Sequence, residues 1–139
     1  MIRIRNLFPA EVATFKKKYK DSVPDKLDYH IIIGLLDYNE IVGGIVINLK
    51  PDIEIYHKLK LDPDVSISFF WVDPDYRNHG YGEKLFVDSI SRYDRIALIT
   101  GKRTTKEAEK IYKKYNFKVV SINHDTKYWY RSVDSSFMN

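Results

Sequence analysis

The sequence predicts a single α/β domain, and three observations carry that expectation. Helical and strand periodicities alternate along most of the 139 residues. Two pairs of apolar segments are each joined by a short run of turn formers, which implies antiparallel hairpins. Between those pairs, a strand rich in aromatic and β-branched residues enters a glycine-bearing loop and then an amphipathic helix, from Ser66 to Tyr93. The length suits one domain with a real core. An apolar content of 44% with 30% charged residues is that of a globular chain.

In chain order, residues 2–5 read as a first strand. Pro9 stands where a helix can begin, and Val12, Phe15 and Tyr19 give it an apolar stripe to about Lys20. Residues 21–28 form a polar connection around Pro24, with room for a short helical turn. Residues 29–36 and 41–49 are strands joined by Asp37-Tyr38-Asn39-Glu40. Gly43-Gly44, inside the second of them, signals a bulge or a close backbone approach. Residues 50–64 are expected to be a loop, long enough to line a substrate pocket.

The strand at 66–72 is stopped by Asp73-Pro74, since proline has no N–H for a ladder. Leu85, Phe86, Ser89, Ile90 and Tyr93 then recur at helical spacing. The intervening Arg77-Asn78-His79-Gly80-Tyr81-Gly82 loop aims backbone N–H groups at one point, with a helix dipole behind them. That is an anion site, best suited to phosphate. Gly80 and Gly82 permit φ > 0 and let a ligand approach the backbone.

Residues 95–100 are the next strand. Thr104 with Glu107 forms a capping box for a helix over 105–115, with Ala108, Ile111, Tyr112 and Tyr115 on one face. Asn116 can end that helix in the left-handed region. Residues 117–122 and 127–133 form the last hairpin. The domain is thus expected over 1–133, with a C-terminal tail at 134–139.

Composition narrows the function. With no cysteine, disulfides, thiolate metal sites and cysteine nucleophiles are excluded. His30, His57, His79 and His124 lie far apart, so no metal site is expected. No apolar run has the length of a membrane span and no signal-like segment follows Met1, which predicts a cytoplasmic chain without a membrane partner. A net charge of +4 suits an anionic ligand or partner. The lysines at 16–18 and 20 read as a solvated helix face rather than a nucleic-acid contact, because no repeated aromatic–basic interleaving accompanies them.

The run V-D-P-D-Y-R-N-H-G-Y-G resembles the acetyl-coenzyme A loop of the GNAT superfamily of N-acetyltransferases, V-x-P-x-x-(Q/R)-x-x-G-x-(G/A). Val72, Pro74, Arg77, Gly80 and Gly82 all fall on that signature. The resemblance implies a mixed, mostly antiparallel sheet of six to seven strands flanked by helices, with a splayed strand pair forming the coenzyme A cleft. It also implies that the main chain of Phe70, Trp71 and Val72 binds the pantetheine arm, the Phe70 amide polarising the thioester carbonyl. The amides of Asn78, His79, Gly80, Tyr81, Gly82 and Glu83 would hold the pyrophosphate, with Arg77 adding positive charge and the Glu83 side chain turned away.

A second run, A-E-K-I-Y-K-K-Y-N-F, resembles the family's A-x-x-(L/I)-Y-x-x-x-G-F, which places Tyr112 at the tyrosine facing the coenzyme sulfur. A phenol stays protonated at neutral pH and can donate to a thiolate leaving group. Asn116 replaces the motif glycine. Thr105 stands where many relatives carry an asparagine that contacts the pantetheine arm. Ser66 stands where relatives commonly carry a carboxylate base; with Ser68 it could order a water, leaving Asp64 or Glu54 as more distant proton acceptors.

These readings predict an acetyl-CoA-dependent N-acetyltransferase whose acceptor is a primary amine, on a small molecule or a protein. The alternative is a non-catalytic basic binding module on the same fold, associated with nucleic acid. Homodimerisation is left open.

Overall fold

The first third of the chain makes three strands that pair in sequence, the second and third of them near-continuous apolar runs. β1 (Ile2–Asn6) runs antiparallel to β2 (His30–Asp37), which runs antiparallel to β3 (Glu40–Asn48). The computed structural model describes residues 1–133; the expected tail at 134–139 lies outside them. The β2–β3 turn is tighter than expected, because Asp37 already pairs with Glu40 and only Tyr38 and Asn39 bridge them. Tyr38 takes φ 56° there, and Tyr29 takes φ 62°, so β2 starts at His30.

The bulge falls one residue before the glycine pair. Val42 lies between the pairs Leu36–Ile41 and Leu35–Gly43. The glycines themselves serve close approach: a Cβ on Gly43 would stand 2.5 Å from the Trp71 carbonyl oxygen, and one on Gly44 2.5 Å from Phe15 Cε2.

α1 (Pro9–Lys18) begins with proline at its first position and ends sooner than the expected Lys20. The Glu11 carboxylate accepts from the Phe8 N–H at 2.8 Å and from the Arg5 guanidinium at 2.7 and 2.9 Å, which ties β1 to the helix start. Phe15 is fully buried and packs edge-on against Tyr19 and Phe69, with centroids 4.9 and 5.6 Å away. Val23, Ile32, Leu36, Ile41 and Val46 complete this core. Residues 21–28 contain turns and no helix.

The expected loop at 50–64 contains α2 (Ile53–Lys58). Asp52 caps it, accepting from the N–H groups of Glu54 and Ile55 at 3.0 and 3.3 Å, and buried Tyr56 anchors it. β4 (Val65–Val72) follows, then a 3-10 turn at Pro74–Tyr76 and α3 (Tyr81–Ile90). α3 packs against β2 and β3. Leu85, Phe86, Ser89 and Ile90 are buried as their spacing predicts, whereas Tyr93 lies beyond the helix end. The buried Ser89 hydroxyl is satisfied by donating to the Leu85 carbonyl at 2.7 Å.

β5 (Arg95–Thr100), α4 (Lys106–Lys114), β6 (Lys118–Asn123) and β7 (Thr126–Ser132) finish the described chain, with β7 antiparallel to both β5 and β6. The α4 cap is Thr105 and not Thr104. Thr105 Oγ1 accepts from the Ala108 N–H at 3.1 Å, while Thr104 Oγ1 accepts from the Gly101 N–H at 3.3 Å. Asn116 ends the helix at φ 70°, as expected. Its N–H reaches the Lys113 carbonyl and the Phe117 N–H reaches the Tyr112 carbonyl, at 3.2 and 2.9 Å, the double bond pattern of a Schellman cap.

The strands form one seven-stranded sheet in the order β1-β2-β3-β4-β5-β7-β6, mostly antiparallel. The described residues cluster into two compact units: Met1–Leu49 with Ile67–Arg92, and Lys50–Ser66 with residues 93–133. Among the described residues no helix is long and apolar enough to cross a membrane.

Candidate functional site

In the first unit the chain leaves β4 through a loop of fixed shape. Two residues take left-handed backbone, Asn78 at φ 67° and Gly80 at φ 81°. Gly80 is the cap residue of α3, and a Cβ placed on it would meet nothing within 4 Å, so this stretch of main chain is open to a ligand. The first helical hydrogen bond runs from Lys84 N–H to the Gly80 carbonyl at 3.1 Å. The amides of Tyr81 and Gly82 precede it at the positive end of the helix dipole. Gly82 corrects one expectation: it lies within α3 and not in left-handed backbone. A Cβ there would be in ordinary contact with Val72 and Phe70, at 3.5 and 3.8 Å.

The side chains around the loop are fastened to it from below. Arg77 Nε donates to the Val72 carbonyl at 2.7 Å, and its guanidinium carbon lies 4.4 Å from the Trp71 ring centroid. This leaves the two terminal nitrogens of Arg77 as donors for an anion. Phe70 rests on Phe86, with centroids 5.4 Å apart, and exposed His79 lies beside Tyr81 at 5.5 Å. Tyr76 Oη donates to Asp37 Oδ2 at 2.8 Å and anchors the 3-10 turn to the end of β2.

Sequence reasoning treated Asp73 only as a strand stop. Its carboxylate in fact accepts from three donors: Lys18 Nζ at 2.6 Å, Tyr19 Oη at 2.9 Å and Trp71 Nε1 at 3.2 Å. Burial and the neighbouring Asp73 carboxylate push the Tyr19 phenol well above its ordinary range, so it stays a donor. Lys18 also donates to the Ile41 carbonyl, and Lys16 donates to the Asp25 carbonyl at 2.6 Å. Two lysines of the basic cluster are therefore held in contacts within the chain, which weakens the nucleic-acid reading. A strand-end carboxylate two residues after a tryptophan was the only signal for this network in the sequence.

The second unit holds the other candidates. Tyr112 is buried on α4, edge-on to Trp129 with centroids 5.5 Å apart and 6.2 Å from Phe117. Burial raises its phenol above the ordinary range, and the Glu109 charge adds to the effect. Glu109 is itself paired with Lys127 at 3.2 Å. The Thr105 oxygen is engaged as the α4 cap, which leaves its O–H to donate. Ser66 is buried in β4, while Ser68 is exposed. Asp64 is committed: Arg95 Nη2 reaches its Oδ1 at 2.7 Å and the Arg95 main-chain N–H its Oδ2 at 3.0 Å. Burial works to raise the Asp64 carboxyl, but these bonds outweigh it and hold the group below its usual range. Glu54 is exposed in the first turn of α2.

The GNAT acetyltransferase domain matches residues 28–119, more than half of the chain, and the chain belongs to that family. Solved structures show the same fold. Arabidopsis thaliana NAA60 in complex with acetyl-CoA is 14% identical at a TM-score of 0.70, covering 96% of this chain and 100% of that one. A Bacillus subtilis acetyltransferase in complex with CoA is 17% identical at 0.70, covering 96% and 99%. A GNAT family acetyltransferase from Elizabethkingia anophelis with acetyl-CoA bound is 17% identical at 0.65, covering 95% and 98%. No curated protein sequence matches the chain.

Proposed function

We propose that this acetyltransferase moves the acetyl group of acetyl-CoA to a primary amine, on a small molecule or on a protein. One observation carries the reading: left-handed Asn78 and Gly80 deliver an open stretch of main chain to the N-terminus of α3. An anion bearing several phosphates suits such a loop, and coenzyme A is one. The net charge of +4 and the coenzyme-bound relatives support the same choice.

The roles are those the family resemblance implies, and each suits the chemistry of its group. The amides of Asn78, His79, Gly80, Tyr81, Gly82 and Glu83 hold the pyrophosphate, and Arg77 adds two charged donors. The main chain of Phe70, Trp71 and Val72 takes the pantetheine arm, with the Phe70 N–H stabilising charge on the thioester oxygen. The Thr105 hydroxyl gives the arm one further donor. The neutral amine attacks the acetyl carbon, the carbon–sulfur bond breaks, and the electron pair leaves on sulfur. Tyr112 donates its proton to that thiolate and is reprotonated from solvent. The surplus proton of the amine goes to solvent, with Ser66 ordering water and not acting as a base. The catalytic domain occupies residues 1–133.

Calorimetric titration with acetyl-CoA, followed by an amine panel read by thiol release, tests the reading. A folded protein with no affinity for acetyl-CoA refutes it. Steeply salt-dependent binding to DNA or RNA in that protein would favour the binding module instead.

A further inference from the structure

Asp73 is placed to govern the anion loop without touching it. Its main-chain N–H donates to the Val42 carbonyl at 2.8 Å, which fixes the residue against β3. Its Oδ1 accepts from both Trp71 Nε1 and Tyr19 Oη, and its Oδ2 from Lys18 Nζ. The Trp71 ring so held is the surface on which the Arg77 guanidinium lies, 4.4 Å from the centroid. A line of contacts therefore runs from the end of α1 through Asp73 and Trp71 to Arg77.

We propose that Asp73 is a positioning residue for phosphate recognition, acting through Trp71 on Arg77. An unsupported arginine samples many rotamers and forfeits that freedom when it binds. With Nε on the Val72 carbonyl and its plane on a fixed indole, Arg77 meets the ligand already ordered. A carboxylate near a phosphate site would ordinarily repel the ligand. Here the Lys18 ammonium, 2.6 Å away, offsets the Asp73 charge, so order is gained with little repulsion. The role rests on the coenzyme reading of this loop.

The test is a double-mutant cycle read by calorimetric titration of acetyl-CoA into Asp73→Ala, Arg77→Ala and the double variant, with thermal melts as the check on folding. Each single change is expected to weaken binding by about tenfold, the scale of one charge-assisted contact. The double variant should bind no more weakly than Arg77→Ala alone, because Asp73 acts through Arg77. Trp71→Phe keeps an aromatic face under the guanidinium and deletes only the N–H. It should weaken binding in the same direction, and that effect should vanish in the Arg77→Ala background. If Asp73→Ala does not fold, the Trp71–Arg77 cycle decides. Losses that multiply, or an Asp73→Ala protein that binds like wild type, overturn the positioning role alone. Wild-type protein with no affinity overturns the coenzyme reading and the role together.

Discussion

The Tyr112 ring meets the Trp129 indole edge-on, with centroids 5.5 Å apart and planes at 66°. Trp129 is held in turn, since its Nε1 donates to Thr100 Oγ1 at 2.9 Å. Packing therefore fixes the ring of Tyr112, and the hydroxyl can be removed without disturbing that contact. Tyr112→Phe is expected to lower kcat by about tenfold to a thousandfold, as loss of a general acid does. Affinity for acetyl-CoA should stay within about twofold, because no ring contact is lost. Rapid-quench kinetics under conditions where chemistry limits turnover decide the matter. An unchanged kcat would return Tyr112 to a packing role.

The same residue makes a pH prediction. Burial, with the Glu109 charge behind it, holds the phenol above its ordinary range. A raised pKa keeps an acid in its donating form to higher pH. Tyr112 should therefore impose no alkaline fall in kcat up to about pH 10, where an ordinary phenol would already be half ionised. A fall centred well below that value, absent in Tyr112→Phe, would contradict the assignment.

The two glycines, Gly80 at the α3 cap and Gly82 within its first turn, should fail in different ways. Gly80→Ala forces an L side chain into φ 81°, at a cost of about 1 kcal/mol, with no steric clash to add to it. Gly82 has ordinary backbone, and its Cβ position is in normal contact with Val72 and Phe70. Gly82→Val should fold, with a melting shift of no more than about 4 °C. Its branched side chain adds bulk beside the helix-start amides, and acetyl-CoA affinity should fall by at least about tenfold. A folded Gly82→Val protein that binds like wild type would remove this loop from the proposed site.

Most of the fold was legible because its signals are local. The apolar stripe of Leu85, Phe86, Ser89 and Ile90, Pro9 at a helix start and Asn116 at a helix end each act within one turn. The errors fall where two local signals compete or where the partner is remote in sequence. Thr104 and Thr105 can both cap a helix, and the hydroxyl that reaches Ala108 wins. α2 was hidden because six residues give little periodicity and only Tyr56 is buried, although Asp52 carried its cap. The anion loop could be read from the spacing of Arg77, Gly80 and Gly82. The Asp73 network could not, because Lys18 and Tyr19 lie more than fifty positions away in sequence.

Glu11 links acid stability to that network. Hydrogen bonding from Arg5, then from the Phe8 N–H, holds its carboxyl down at about 2. The folded pKa lies below the unfolded value of roughly 4.3, so the stabilisation is present above that value and is lost as pH falls toward 2. Melting temperatures between pH 6 and pH 2 should decline in wild type and decline less in Glu11→Gln. Although Glu11 starts the helix whose end supplies Lys18 and Tyr19 to Asp73, it makes none of the Asp73 contacts, so Glu11→Gln should not alter acetyl-CoA affinity at neutral pH by more than about twofold while α1 stays folded.

The last expectation follows from the carboxylates the structure has already committed. Ser66 stands where the family resemblance implies a base, and a serine hydroxyl does not accept a proton at neutral pH. Asp64 is gripped by Arg95 through two bonds and held below its usual pKa, which makes it a poorer proton acceptor than a free carboxylate. Glu54 is exposed on α2. An alkyl ammonium with pKa about 10.4 must lose its proton before it can attack the thioester. If none of these groups removes that proton in the site, the enzyme must select the scarce neutral amine from solution. On this hypothesis kcat/KM for an alkyl amine climbs with pH toward the pKa of the amine, with a slope that Asp64→Asn and Glu54→Gln barely change. Melting curves must accompany Asp64→Asn, since it also removes an Arg95 partner. A plateau near pH 7 that either substitution abolishes would sink the selection mechanism and identify the base.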